Sequence, residues 1–225
     1  MALNRYKKLG SLINRQKAAT AFFIVFYLVG EIGMVLTCTF SLFVKLIPLA
    51  LILSFVSVAF FHVSKIDWKT ILVFLSIYIF AFTIEAIGVN TGIIFGHYQY
   101  GEGLGLKLFQ TPLIIGINWL FLVYTTAVIV RKFNIPEFAK ILLASAGMLL
   151  YDIVLEQVAA KLDMWHWEND IIPFQNYLAW FVLAALFHFM LKVLKVRIEN
   201  KLAFLILGCQ FLFFLFLFIS FKLIP

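Results

Sequence analysis

Residues 85–112, EAIGVNTGIIFGHYQYGEGLGLKLFQTP, decide how this chain is read. They hold two acids, a histidine, two tyrosines and six of the chain's twelve glycines, with long apolar runs on either side. Glycine lets a backbone turn tightly or approach a ligand closely, and it weakens a plain helix. A membrane chain that keeps such a segment between spans is shaping a pocket there. The stretch is read as the lip of an active site.

The flanking runs belong to a chain of 225 residues that is 64% hydrophobic and 13% charged, with a mean hydropathy of +1.04. A soluble domain is nearer half apolar and a quarter charged, so this composition predicts an integral membrane protein with no room for a separate soluble domain. The formal charge of +7 is spread over short loops between apolar runs, where lysine and arginine set orientation and meet anionic lipid. Nucleic acid is therefore not an expected partner. Cys38 and Cys209 lie far apart in apolar runs, which excludes a zinc ribbon and argues against a disulfide framework.

Apolar runs predict seven spans, at about 18–40, 46–62, 70–88, 112–130, 138–160, 176–191 and 202–221, each near the ~20 residues that cross hydrocarbon. The expected fold class is an all-α, polytopic membrane helix bundle. Residues 1–17 form a basic cytoplasmic arm, and 18–225 form one transmembrane domain in the inner cell membrane. Glu31 and the length of the first run argue against a cleaved signal peptide. With the N-terminus cytoplasmic, fourteen lysines and arginines lie inside and four (Lys45, Lys107, Lys161 and Lys222) outside, as the positive-inside rule requires.

This topology brings the glycine-rich segment and the segment around Trp165-His166-Trp167 to the same outer face. Glu85 then lies about one turn below that face. Asp152 and Glu156, four residues apart, share one helix face near the outer end of their span. Glu31 falls in the same leaflet, Asn118 enters from the outer end of the fourth span, and Asn176 opens the sixth. Unpaired charge in hydrocarbon is costly, so each such residue must face a cavity or a partner. His62 and His188 fall toward the inner side, away from the site, while Glu102, Asp163, Glu168 and Asp170 read as solvated loop charges.

Crowded, desolvated carboxyls cannot all ionise together. A protonated acid beside aromatic faces can protonate an electron-rich double bond, the aromatics can stabilise the resulting tertiary cation, and a second carboxylate can orient the water that captures it. Metal is a competing use of Asp152, Glu156, Glu85, His97 and His166. No Glu-x-x-His or His-x-x-x-His pair sits on a span, so neither metal nor cofactor is expected. A retinal protein needs a mid-membrane lysine, and Lys201 and Lys222 lie only at the ends of the last run. A proton-coupled transporter is the alternative outside enzymes, although its acids would step across the membrane rather than crowd one leaflet.

The ordered set Glu85-Ala-Ile-Gly-Val-Asn-Thr-Gly-Ile-Ile-Phe-Gly-His-Tyr-Gln-Tyr, Leu104-Gly105, Thr111-Pro112 and Asn118-Trp119 resembles the carotenoid biosynthesis family, which includes carotenoid 1,2-hydratases. Tyr151-Asp152 through Glu156, Trp165-x-Trp167, and Asn176 with Trp180 resemble its second signature. The resemblance implies cofactor-independent addition of water across the terminal C1=C2 double bond of an acyclic carotenoid end of the lycopene or γ-carotene type, giving a tertiary alcohol. Asp152, Glu156 and Glu85 are the expected catalytic residues. Thr91, His97, Tyr98, Tyr100, Asn118, Trp119, Trp165, His166, Asn176 and Trp180 are expected to bind substrate or water. Membrane lipid and other enzymes of the carotenoid pathway are the expected partners. A small membrane cyclase that quenches the same cation by ring closure is the enzyme alternative. The chain departs from the family pattern at Gln157, where a proline is expected, and that change straightens the end of the fifth span.

Overall fold

Asp67 opens the helix that leads into the glycine-rich segment. Its Oδ1 accepts from the Thr70 amide at 2.8 Å and the Thr70 hydroxyl at 2.7 Å, an N-cap that satisfies donors the helix leaves free. The helix closes at Gly92, whose φ of 70° gives a left-handed cap and whose N–H returns to the Gly88 carbonyl at 2.8 Å. The structure is a computed structural model that describes residues 2–223, with side chains from Asn14 onward.

Its helices are α1 (Ala2–Val35), α2 (Thr37–Lys45), α3 (Ile47–Phe60), α4 (Trp68–Thr91), α5 (Ile114–Val130), α6 (Glu137–Ala159), α7 (Phe174–Val193) and α8 (Ala203–Leu223). The stretch Asn14–Val35 of α1 and the whole of α4, α6, α7 and α8 are long and apolar enough to cross a membrane. The pair α2–α3, bent by 54°, supplies a sixth span if counted as one, and α5 is a shorter apolar helix. The protein is thus an all-α, multi-pass membrane bundle.

One expectation shifts at the N-terminal end. Helix α1 runs unbroken from Ala2, so the basic arm is helical and continuous with the first span; the side chains of Arg5, Lys7 and Lys8 lie outside the described residues. The first span ends at Val35 rather than near residue 40. Leu36 takes extended dihedrals, and α2 folds back so that the Phe43 ring lies where a Cβ on Gly33 would stand. Hydropathy alone cannot show such a break, because both sides of it are apolar.

Helix α5 is the centre of the bundle, with 14 of its 17 residues buried. A helix enclosed on every side has no polar stripe, which is why its sequence is apolar all round. Gly116 lets it approach α4 closely, against Tyr78. At the far end from the site, Asn200 ties the bundle together. Its Nδ2 donates to the Val58 carbonyl and to the Tyr124 hydroxyl, and its Oδ1 accepts the Leu202 and Ala203 amides.

The glycine-rich segment folds as a cap over the other end. Strand β1 (Tyr98–Tyr100) pairs antiparallel with β4 (Trp165–Trp167), and β2 (Lys107–Leu108) pairs with β3 (Thr111–Pro112). Asp163 holds the two loops of the cap together. Its Oδ2 accepts the Glu102 amide at 2.9 Å, and its carbonyl accepts the Gly103 amide at 2.7 Å. The Glu102 amide, with His166 beside it, keeps the Asp163 carboxyl below the usual aspartate range. The sequence reading made Asp163 a solvated loop charge; it is a tie between loops.

Gly101 lies against the Asp163 side chain and carbonyl with no space for a Cβ. Gly101→Ala is expected to strain the cap and destabilise the protein by about 1–3 kcal/mol, as overpacking does, read as a lowered Tm in detergent. Gly208→Ala, where nothing lies within 4 Å of the added Cβ, should melt like the wild type.

Candidate active site

The β1–β4 ladder builds the site by simple alternation. Tyr98 pairs with Trp167, Gln99 with His166 and Tyr100 with Trp165. Successive side chains on a strand point to opposite faces, so the two tyrosines and two tryptophans turn down into the bundle while Gln99 and His166 stay exposed.

Each strand delivers its pair of donors to one carboxyl oxygen. The Tyr98 and Tyr100 hydroxyls donate to Glu85 Oε2 at 2.7 and 2.8 Å. The Trp165 and Trp167 indoles donate to Glu156 Oε2 at 2.9 and 2.8 Å. From below, Trp119 Nε1 donates to Glu85 Oε1 at 2.8 Å. Asn176, in the first turn of α7, donates to Asp152 Oδ2 at 3.1 Å and Glu156 Oε1 at 3.3 Å.

The three acids are therefore provisioned unequally. Glu85 and Glu156 each receive three donors, whereas Asp152 receives only the amide it shares with Glu156. Asp152 is fully buried, and its Oδ1 has no hydrogen-bond partner among the described residues. An ionised carboxylate only accepts hydrogen bonds, while a protonated one also donates. The donor sets of Glu85 and Glu156 thus suit the first form, and that of Asp152 suits the second.

Glu85, Glu156, Asn118 and Asn176 line a cavity of about 30 Å³ walled by Phe95, Tyr98, Tyr100, Trp119, Trp165, Trp167 and Trp180. Trp119 and Trp180 stack with centroids 4.2 Å apart, and Asn118 Oδ1 has no partner among the described residues. A space of this size admits about one water. It does not admit a polyene end while the cap and the stacked indoles stay closed.

Nine of the residues singled out in the sequence (Glu85, Tyr98, Tyr100, Asn118, Trp119, Glu156, Trp165, Asn176 and Trp180) meet around this cavity, and Asp152 joins them through Asn176. Three stand apart. Thr91 is exposed and donates to the Ile87 carbonyl one turn back. His97 is exposed and lies against Gly92. His166 faces outward, 3.2 Å from Asp163 Oδ1. The last two share the outward parity of Gln99 on the cap. Trp167 was missed as a site residue, although the spacing Trp165-x-Trp167 carries the signal that both indoles share a face. Glu31 is also separate, accepting from Ser220 at 3.3 Å. Helix α6 continues regularly past Gln157 to Ala159, as expected where the proline is missing.

Fold and site together define a multi-pass membrane protein with a small, aromatic-walled, acid-lined chamber beneath a β-strand cap. The chain belongs to the family described as carotenoid biosynthesis protein, whose profile matches residues 46–224 and so spans every residue of the chamber. It is 26% identical over 128 residues to a bisanhydrobacterioruberin hydratase of Haloarcula japonica, an alignment covering 51% of this chain and 42% of that protein. The matched part is thus less than half the length of that relative. No solved structure matches the chain.

Proposed function

We propose that the protein is a carotenoid hydratase of the cell membrane that adds water to the terminal C1=C2 double bond of an acyclic carotenoid end. The observation that carries this reading is the unequal provisioning of three linked acids: Glu85 and Glu156 line one small, aromatic-walled cavity, and Asp152 lies behind it, bonded to Asn176 of the same wall. Asp152, with its bare Oδ1, is the proton donor. Its proton goes to C2 as the C1=C2 π bond breaks, leaving a tertiary cation at C1. Trp119, Trp180 and the cap aromatics present π faces that attract such a cation.

Glu156 is the base. A water in the chamber bonds through oxygen to C1 and gives a proton to Glu156, which yields the tertiary alcohol. Asn176, bonded to both carboxyls, keeps them close enough for the proton gained by Glu156 to return to Asp152. Alkene plus water gives alcohol, with no oxidant, reductant or metal in the balance. Glu85, held by three donors, contributes a fixed negative charge near the developing cation. Substrate entry requires the β1–β4 cap or the Trp119–Trp180 stack to part, since the closed space holds only about one water.

The test is to express the chain in cells that make lycopene or γ-carotene and to weigh the pigments. Hydration gains the mass of one water for each end modified. A rearranged pigment of unchanged mass would replace this reading with ring closure, and unmodified pigments would remove it.

A further inference from the structure

Gln210 stands midway along α8 at 1% exposure, and neither its Oε1 nor its Nε2 has a hydrogen-bond partner among the described residues. A bare buried amide is costly, so its position needs a reason. It lines a second cavity, of about 330 Å³, between α1, α2–α3 and α8. The other walls are apolar or already satisfied: Tyr27, the remaining polar lining group, has its hydroxyl paired with Ser54 at 2.8 Å.

This cavity is distinct from the acid chamber and touches the helix that carries two of its acids. Phe214 lines it and packs edge-on against Tyr151, the neighbour of Asp152, with centroids 5.9 Å apart. Its rim residues Val29, Leu46 and Leu49 are exposed apolar side chains on α1, between α2 and α3, and on α3. On a membrane bundle that rim faces hydrocarbon, so a ligand arrives from the lipid and not from water.

We infer that this cavity binds an isoprenoid chain carrying a hydroxyl group, with the hydroxyl on Gln210. Both amide atoms are covered in the cavity wall; when the side chain turns into the cavity, a hydroxyl donates to Oε1 and accepts from Nε2, satisfying both. A hydrocarbon leaves both bare, a carbonyl answers only Nε2, and no side chain lining the cavity carries a charge to balance an ionic group. That the chain is an isoprenoid rests on the hydratase reading, whose product is such an alcohol. Phe214 against Tyr151 joins this site to the helix that carries Asp152 and Glu156.

The test uses full-length protein in nanodiscs, with geranyllinalool as the alcohol and its deoxygenated hydrocarbon analogue as the comparison. Wild type should bind the alcohol at least tenfold more tightly. Gln210→Met should abolish that preference and melt at or above the wild-type temperature, because an apolar side chain of similar size replaces a bare amide. Equal binding of the two probes by wild type, or a preference kept by Gln210→Met, would overturn the inference. So would a variant that melts well below wild type, since the amide would then serve the fold. Binding is read without turnover, so absent hydratase activity in the same preparation would count against the hydration reading alone.

Discussion

Asp152→Asn is expected to abolish measurable hydration, lowering turnover by roughly 10²–10⁴-fold, the usual worth of a positioned general acid, while the protein stays folded. The substitution preserves shape. The new side-chain oxygen still accepts from Asn176, as Oδ2 does at 3.1 Å, and the new NH₂ group sits where Oδ1 now has no partner among the described residues. Only the transferable proton is lost. The check is product formation by purified variant and wild type, with Tm measured on the same samples. Unchanged turnover would remove Asp152 from the chemistry, and a large fall in Tm would make its role structural.

The second large effect is on stability. Tyr98→Phe combined with Tyr100→Phe strips both donors from Glu85 Oε2, leaving only the Trp119 indole on Oε1. Hydrogen bonds to a charged group contribute about 1.5–3 kcal/mol each, so the double variant should lose roughly 3–6 kcal/mol by the same principle. Adding Glu85→Leu should restore part of that loss, because it removes the orphaned carboxyl oxygen, while leaving the buried Trp119 indole without its acceptor. Activity should not return with it. A double variant that melts like wild type would mean that the cap is not held to the bundle through Glu85.

Much of this arrangement was legible in the sequence, and the exceptions have physical causes. Apolar runs and loop charge gave a multi-pass bundle, and span direction brought Glu85, Asp152 and Glu156 to one end. Helix α2 was illegible because the break at Leu36 separates two equally apolar stretches. The β1–β4 pairing was hidden for a different reason. Two three-residue strands more than sixty residues apart carry no hydropathy signal, and only the repeated aromatic-x-aromatic spacing hinted at a shared face. Once they pair, parity explains why His97 and His166 turn away while Trp167 turns in.

Asp163 was misread because loop acids are usually solvated, and nothing local in the chain announces that the Glu102 amide will meet it. Gln210 did leave a trace, as a lone amide in a strongly apolar run, but its meaning depends on the cavity around it. In each case the sequence showed the residue's chemistry, and the missing information was which neighbour the fold would bring to it.

The most direct test of the acid-cluster account is to give purified protein, in detergent and without any ion gradient, lycopene or γ-carotene in D₂O and to locate the label. Acid-catalysed hydration predicts a product heavier by one D₂O, with deuterium on the carbon beside the new tertiary alcohol, and no such product from Asp152→Asn. Lycopene and γ-carotene both left unaltered by well-folded protein would contradict it, as would product that lacks carbon-bound deuterium.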